Sequence, residues 1–174
     1  MADRLTIDDL RAEAASSGRD PFAKRYPDPL IIGRGMVSVP LPDPSNPGTL
    51  ALNPADGLNM QTIQQSRAIK GRVFWLRTSE GDRVGSQGTP RVTLGRDRRC
   101  DIVLPDFPIS GQHCWFVRAR DGGIEVVDGD STNGTFVNEA RCEPRQRHRI
   151  ADGDSIVFGR FAFEYWSSVL AALA

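Results

Sequence analysis

The chain has 174 residues and a formal net charge of zero at pH 7, because 22 Lys and Arg residues balance 22 Asp and Glu residues. This length suits one domain with an appendage, and the balanced charge argues against a protein that coats nucleic acid or an anionic membrane. No apolar run approaches the roughly 18 residues that span a bilayer, and the charged first dozen residues do not resemble a signal peptide. We therefore expect a cytoplasmic protein that binds neither nucleic acid nor membrane.

Three cysteines, Cys100, Cys114 and Cys142, are odd in number and form no close pair. A secreted disulfide framework is therefore not expected, and we interpret these thiols as small buried hydrophobic groups in a reducing compartment. Taken together with His113 and His148, the cysteines show none of the paired spacings of a metal site. We expect no metal and no cofactor.

Prolines and aromatic residues divide the chain into two halves. Eight of the twelve prolines lie between Pro21 and Pro54, whereas eleven of the thirteen aromatic residues lie between Phe74 and Trp166. Aromatic residues supply large buried areas and favour strands, while prolines cannot donate to a sheet ladder. We therefore predict an N-terminal region of unassigned function over residues 1–70, a core domain over 71–166 and a short C-terminal tail over 167–174.

The first half begins with a predicted short helix. Thr6 followed three residues later by Asp9 fits a capping box, and apolar residues recur after it at helical spacing. We expect Asp20 and Pro21 to end this helix. Residues 30–32 and 36–39 are weak strand candidates, predicted to dock on the edge of the core domain. Residues 40–54 indicate an extended linker or a wrapped proline-rich arm.

From residue 71 onward, short strand patterns alternate with turn signals. Strands are predicted over 72–77, 91–94, 101–104, 113–120 and 124–127, and two more flank Gly159-Arg160, where the phase of the apolar residues changes. Many short strands with no long helix among them predict an all-β fold, either a sandwich or a barrel. The basic stretch 141–149 is interpreted as a solvated strand and turn, with a charged recognition surface as the alternative.

Four short blocks stand in order within this half: Leu94-Gly95-Arg96, Ile109-Ser110-Gly-Gln-His113, Asp130-Ser-Thr-Asn-Gly-Thr135 and Asn138. Together, and over about residues 72–166, they resemble the forkhead-associated (FHA) domain family. The resemblance implies a β-sandwich of two twisted, mostly antiparallel sheets, to which the N-terminal helix and the irregular proline-rich arm are additions. It also implies a non-catalytic domain that binds phosphothreonine peptides.

The resemblance implies that five residues bind the phosphopeptide. A phosphothreonine carries about −1.5 to −2 charges and three acceptor oxygens, so it needs several donors, at least one of them cationic. Arg96 offers a planar guanidinium fork, Ser110 and Thr132 offer hydroxyl groups, and Asn133 can hold a peptide backbone. Gly111 offers only its backbone N–H, where richer members of the family carry a polar or basic side chain.

Four further residues are implied to support the binding loops rather than the ligand. Gly95 and Gly134 suit backbone turns that a Cβ would obstruct. By the same resemblance, His113 is a buried histidine that ties the binding loops together, and Asn138 braces a loop.

The expected partner is a phosphothreonine-containing protein, either a Ser/Thr kinase or one of its substrates. Thr6, Thr49 and Thr62 are open candidates for a phosphorylated ligand within the chain itself. The main alternative is a phosphate-independent scaffold of the same fold that holds its partner constitutively. An enzyme is not expected: Gly153-Asp-Ser-Ile156 mimics a lipase-like block, but no histidine follows His148 to act as its base.

Overall fold

The computed structural model describes residues 5–37, 68–77 and 91–174, and most of these residues lie in strands and short helices. The helices are α1 (Ile7–Ser17), α2 (Arg19–Arg25) and α3 (Val169–Leu173). The strands, in chain order, are β1 (Leu30–Met36), β2 (Val73–Trp75), β3 (Arg91–Gly95), β4 (Ile102–Val103), β5 (Cys114–Arg118), β6 (Ile124–Asp128), β7 (Thr135–Val137), β8 (Ala140–Arg141), β9 (Arg147–Ile150), β10 (Ser155–Phe158) and β11 (Phe161–Trp166).

The strands form two sheets. The larger sheet has the order β2-β1-β11-β10-β7-β8, and the smaller sheet has the order β4-β3-β5-β6-β9. Neighbouring strands are antiparallel except for β3 and β4, which are parallel. The predicted all-β sandwich with a helix near its N-terminus is confirmed.

A central hydrophobic core fills the space between the two sheets. Phe158 and Phe163 reach into it from the larger sheet and Phe116 from the smaller one, and each is at most 1% exposed. The rings of Phe116 and Phe158 meet edge to face, with their centroids 6.2 Å apart. Such contacts add to the area that each ring buries.

Strand β1 is buried on both of its faces. Ile31 belongs to the central core, whereas Leu30 and Ile32 belong to a second hydrophobic cluster on the outer face of the larger sheet. Residues of α1, α2 and α3 complete this second cluster, which we call the outer core; its buried helical members are Leu10, Phe22 and Val169. A strand covered on both faces needs consecutive apolar residues, which Leu30, Ile31 and Ile32 provide in the first half of β1.

The sequence predicted that residues 30–32 and 36–39 would dock on the edge of the sheet, and this prediction was wrong in one respect. Strand β1 does pair with β11, but it also pairs with β2 on its other side. It is therefore an inner strand, continuous from Leu30 to Met36 with a register shift between Gly33 and Gly35. The larger sheet contains residues from both halves of the chain, and the domain boundary at residue 71 stays a prediction.

Helix α1 begins as predicted but ends earlier. The Thr6 hydroxyl accepts from the Asp9 N–H, and the Asp9 carboxylate accepts from the Thr6 N–H, which completes the capping box. The helix stops before Gly18, whose φ of 79° interrupts it. Pro21 instead lies in the first turn of α2, where a missing backbone N–H costs nothing.

The last residues of the chain, predicted as a short tail, contain helix α3. Its Ser168 N-cap accepts a hydrogen bond from the Ala171 N–H, and Val169 is fully buried in the outer core. Across the described residues, no helix is long and apolar enough to cross a membrane. The predicted arm of residues 40–54, together with Thr49 and Thr62, lies outside the described residues.

Candidate functional site

A cleft of about 160 Å³ opens where the β3–β4, β4–β5 and β6–β7 loops meet. Four of the five residues predicted to bind phosphopeptide line it, and the fifth, Gly111, is exposed beside Ser110. The remaining lining residues precede Ser110 in the chain. In full, the cleft is lined by Arg96, Phe107, Pro108, Ile109, Ser110, Thr132 and Asn133.

Hydrogen bonds around Ser110 join the three loops. The Arg96 N–H donates to the Ser110 carbonyl over 2.9 Å, and the Thr132 N–H donates to Ser110 Oγ over 3.1 Å. The Asn133 side-chain amide donates to the Pro108 carbonyl over 2.8 Å, so this amide braces the loop before Ser110. Because Ser110 Oγ accepts from within the protein, its own hydroxyl proton can point toward a ligand.

Arg96 directly follows Gly95, a position at which two loops come so close together that only glycine fits. A Cβ on Gly95 would lie 2.1 Å from the Gly111 carbonyl oxygen, so any side chain there would push the two loops apart. The adjacent Asp97 N–H donates to that same carbonyl over 2.9 Å. The Arg96 side chain is exposed, and its guanidinium carbon lies 5.9 Å from the centroid of the Phe107 ring.

The acidic residue nearest to Arg96 in the chain, Asp97, forms its salt bridge with another arginine. Hydrogen bonds from Arg99 hold the pKa of Asp97 at about 2, and the two side chains form a salt bridge of 2.7 Å. Within the described part of the chain, Arg96 itself has no carboxylate partner. Its positive charge is therefore available to an anionic ligand.

His113 is fully buried and joins two of the loops. Its Nδ1 accepts from the Ser110 N–H over 3.2 Å, which requires Nε2 to carry the proton and to donate to the Gly134 carbonyl over 3.1 Å. Burial lowers the pKa of His113, although the hydrogen bond to Gly134 and the charge of Asp128 oppose this shift. The neutral imidazole offers one acceptor and one donor, which is what its two partners require.

Lowering the pH below about 6.5, the ordinary pKa of histidine, is expected to weaken the fold through His113. Below this pH the unfolded chain binds a proton at His113, whereas the folded protein does not, because its pKa is lower. The free energy of unfolding therefore decreases by at most about 1.4 kcal/mol for each pH unit of acidification. Protonation of Nδ1 would also replace the hydrogen bond from the Ser110 N–H with a repulsive contact between two N–H donors. Denaturant unfolding between pH 7.5 and 5.5 should show this dependence in the wild type and in His148→Gln. An unchanged pH dependence in His113→Gln would contradict it.

The two other supporting residues lie at different distances from the cleft. Gly134 accepts from His113 through its carbonyl and has a φ of 79°, a conformation that a residue with a Cβ rarely adopts. Asn138 is farther away in the network. Its side chain donates to Asp154 over 2.7 Å and accepts from the Ser155 N–H over 2.9 Å, so it ties the β7–β8 turn to the start of β10.

Two buried carboxylates that the sequence analysis did not identify hold the loops around the site. Asp128 accepts from the N–H and hydroxyl of Ser131 and from the hydroxyl of Thr135, which holds the β6–β7 loop. Asp106 directly precedes the cleft residues and forms a bidentate salt bridge with Arg160, whose Nε and Nη2 lie 2.8 and 2.9 Å from the two carboxylate oxygens. The pattern Asp-x-x-Ser after an apolar strand could have indicated Asp128, whereas nothing local pairs Asp106 with Arg160.

Neither a metal site nor a basic recognition surface is formed by the residues first considered for them. Among residues 5–37, 68–77 and 91–174, no three His, Cys, Asp or Glu side chains could hold a metal ion. In the basic stretch, Arg147 pairs with Glu125 and Arg149 with Asp121, both on exposed parts of β9. This stretch is therefore a solvated strand with paired charges, which was the first of its two interpretations.

Comparison with known proteins agrees with the arrangement of the loops. The model of the FHA domain family matches residues 92–159. The oxoglutarate dehydrogenase inhibitor of Corynebacterium diphtheriae is 43% identical over 72 residues, which cover 41% of this chain and 48% of that protein. The glycogen accumulation regulator GarA of Mycolicibacterium smegmatis is 36% identical over 89 residues, covering 49% of this chain and 54% of that protein. The chain thus spans about half the length of these curated relatives.

Among solved structures, EmbR of Mycobacterium tuberculosis in complex with a low-affinity phosphopeptide is 26% identical, with a TM-score of 0.45. The match covers 56% of this chain and 22% of that one. The fold and the loop cleft together define a β-sandwich domain with a cleft between its loops. The family match places residues 92–159 of this sandwich in the FHA domain family.

Proposed function

We propose that residues 71–166, together with strand β1, form a non-catalytic module that recognises phosphothreonine peptides in protein–protein interactions downstream of Ser/Thr kinases. One observation carries the proposal: Arg96, Ser110, Thr132 and Asn133, which come from three loops and lie up to 37 residues apart, line a single cleft. The cleft combines an arginine that has no carboxylate partner among the described residues with hydroxyl donors and a carboxamide. This is the donor set that a phosphothreonine and its backbone need.

The expected partner is a protein that carries the phosphothreonine, either a Ser/Thr kinase or one of its substrates. Two of the relatives are named as an inhibitor and a regulator, which agrees with a domain that acts by binding. We keep the cytoplasm as the predicted location, because three cysteines, an odd number with no close pair in the sequence, argue against a secreted disulfide framework.

A phosphate-independent scaffold is the alternative, and a pair of peptides separates the two functions. A degenerate phosphothreonine library would first select a binding peptide, which is then titrated against the protein with and without its phosphate. We expect binding of the phosphorylated form and no measurable binding of the other, because the bare hydroxyl offers Arg96 no charge. Equal binding of both peptides would contradict our proposal and support the scaffold.

Phosphothreonine is expected to bind more tightly than phosphoserine in an otherwise identical peptide. The threonine methyl should enter a small apolar niche beside Thr132 and Asn133, and burying one such group contributes about 0.8 kcal/mol, or about four-fold in affinity. Titration calorimetry with the two peptides measures the ratio directly. A ratio of one would mean that the niche is absent from this protein.

A further inference from the structure

The Phe107 side chain is the most exposed large hydrophobic group in the described part of the chain. It is 71% exposed, and Val37, at 36%, is the other exposed residue of this kind among residues 5–37, 68–77 and 91–174. Single exposed apolar residues are common on protein surfaces. Phe107 differs from them because its ring lines the cleft that contains Arg96, the residue assigned to the phosphate.

The backbone holds Phe107 outward in a braced turn. The Ile109 N–H donates to the Asp106 carbonyl over 3.0 Å, which closes a tight turn with Phe107 and Pro108 at its corners. The salt bridge to Arg160 anchors Asp106 at the base of this turn, and both side chains are largely buried, at 8% and 12% exposure. The ring is therefore presented by a fixed backbone.

The positions below the ring are already filled. Pro108 and Ile109 are buried, and a Cβ on Gly159 would lie within 3.0 Å of Pro108 and 3.2 Å of Ile109, so the β10–β11 turn packs closely against them. The two residues that follow Phe107 thus occupy the adjoining buried positions, and its own ring stays on the surface. Its apolar surface faces solvent in the free protein, and a ligand in the cleft would cover it.

A peptide whose phosphate contacts Arg96 must pass close to this ring. The guanidinium carbon is 5.9 Å from the ring centroid, a distance that fewer than about two residues of extended chain span. Pro108 and Ile109 continue the apolar lining below the ring. A polar side chain at this point of the peptide would lose water without gaining a partner, whereas an apolar one would bury surface on both molecules.

From this geometry we propose that Phe107 is a specificity-determining residue: it selects phosphothreonine peptides that carry an apolar side chain near the phosphothreonine. The inference rests on the proposed function and adds to it the class of peptide. Arg96 would supply the attraction to any phosphothreonine peptide, and Phe107 would rank those peptides by their neighbouring residue.

The test compares two phosphothreonine peptides that differ at one position. A phosphothreonine library, degenerate on both sides, first identifies the position at which the wild-type protein selects apolar residues. Peptides with Leu or Ser at that position are then titrated, and we expect the Leu peptide to bind about 5- to 30-fold more tightly. In Phe107→Ala this ratio should fall to about one, while Phe107→Leu should retain most of it.

Val37→Ala serves as the matched control, because it removes the other exposed apolar side chain and should leave the ratio unchanged. A library without apolar selection, or a ratio that survives in Phe107→Ala, would overturn the proposal and leave phosphothreonine recognition intact. Failure of the wild-type protein to bind any phosphothreonine peptide would instead overturn the proposed function itself, and this inference with it.

Discussion

Phosphothreonine peptide should bind to Arg96→Ala about 10- to 150-fold more weakly than to the wild type, because a hydrogen bond to a charged group contributes roughly 1.5–3 kcal/mol. The Arg96 side chain is exposed and has no carboxylate partner within the described residues, so its removal should leave the melting temperature almost unchanged. Titration calorimetry and a thermal melt on the same sample separate these two effects.

Two further arginine variants sharpen this experiment. Arg98→Ala removes an exposed arginine two residues further along the same loop, and it should have little effect on affinity. Arg96→Lys keeps the charge but loses the planar fork, so it should bind at an intermediate strength. If Arg96→Ala and Arg98→Ala weakened binding equally, the general positive charge of the loop would attract the peptide, and Arg96 would have no special role.

Removal of residues 1–70 is expected to abolish cooperative folding, which reverses the expectation from sequence that this region is a dispensable addition. The deletion removes Leu30, Ile31 and Ile32, which are 0 to 2% exposed, and it leaves the paired edges of β2 and β11 open. Full burial of each such side chain contributes about 1.5–3 kcal/mol. Their sum is comparable to the whole stability of a typical domain, about 5–15 kcal/mol.

A fragment of residues 28–174 provides the matched comparison, because it keeps β1 and loses only α1 and α2. It should melt cooperatively and bind phosphothreonine peptide, at a lower melting temperature since Leu10 and Phe22 no longer cover the outer core. Circular dichroism, a melting curve and a peptide titration on the full chain and both fragments give the ranking. Cooperative melting and peptide binding by residues 71–174 would show that β1 is dispensable and that the boundary at residue 71 is right.

The wrong placement of strand β1 and the unpredicted salt bridge of Asp106 have the same cause. Residues 30–32 were identified as apolar residues that need burial, but the strand that pairs with them, β11, lies some 130 residues later in the chain. Similarly, Asp106 and Arg160 are 54 residues apart, in loops of different sheets, and meet only when the two sheets pack together. Neither pairing has a local pattern, because the contacts join elements that are distant in the chain.

The sequence by itself determined the all-β class, the start of α1 at the Thr6 capping box and the four loop residues whose side chains meet in the cleft. The first two features depend on short-range physics, namely the period of apolar residues and the capping preference of Thr and Asp. The four loop residues were implied by the resemblance of the sequence to the FHA family. The tertiary structure alone decided that β1 is an inner strand, that helices build an outer core over it and that Phe107 stands exposed beside Arg96. The reason is that the burial of a side chain depends on which distant elements pack around it: Ile109 is buried in the central core, whereas Phe107, two residues earlier, is 71% exposed.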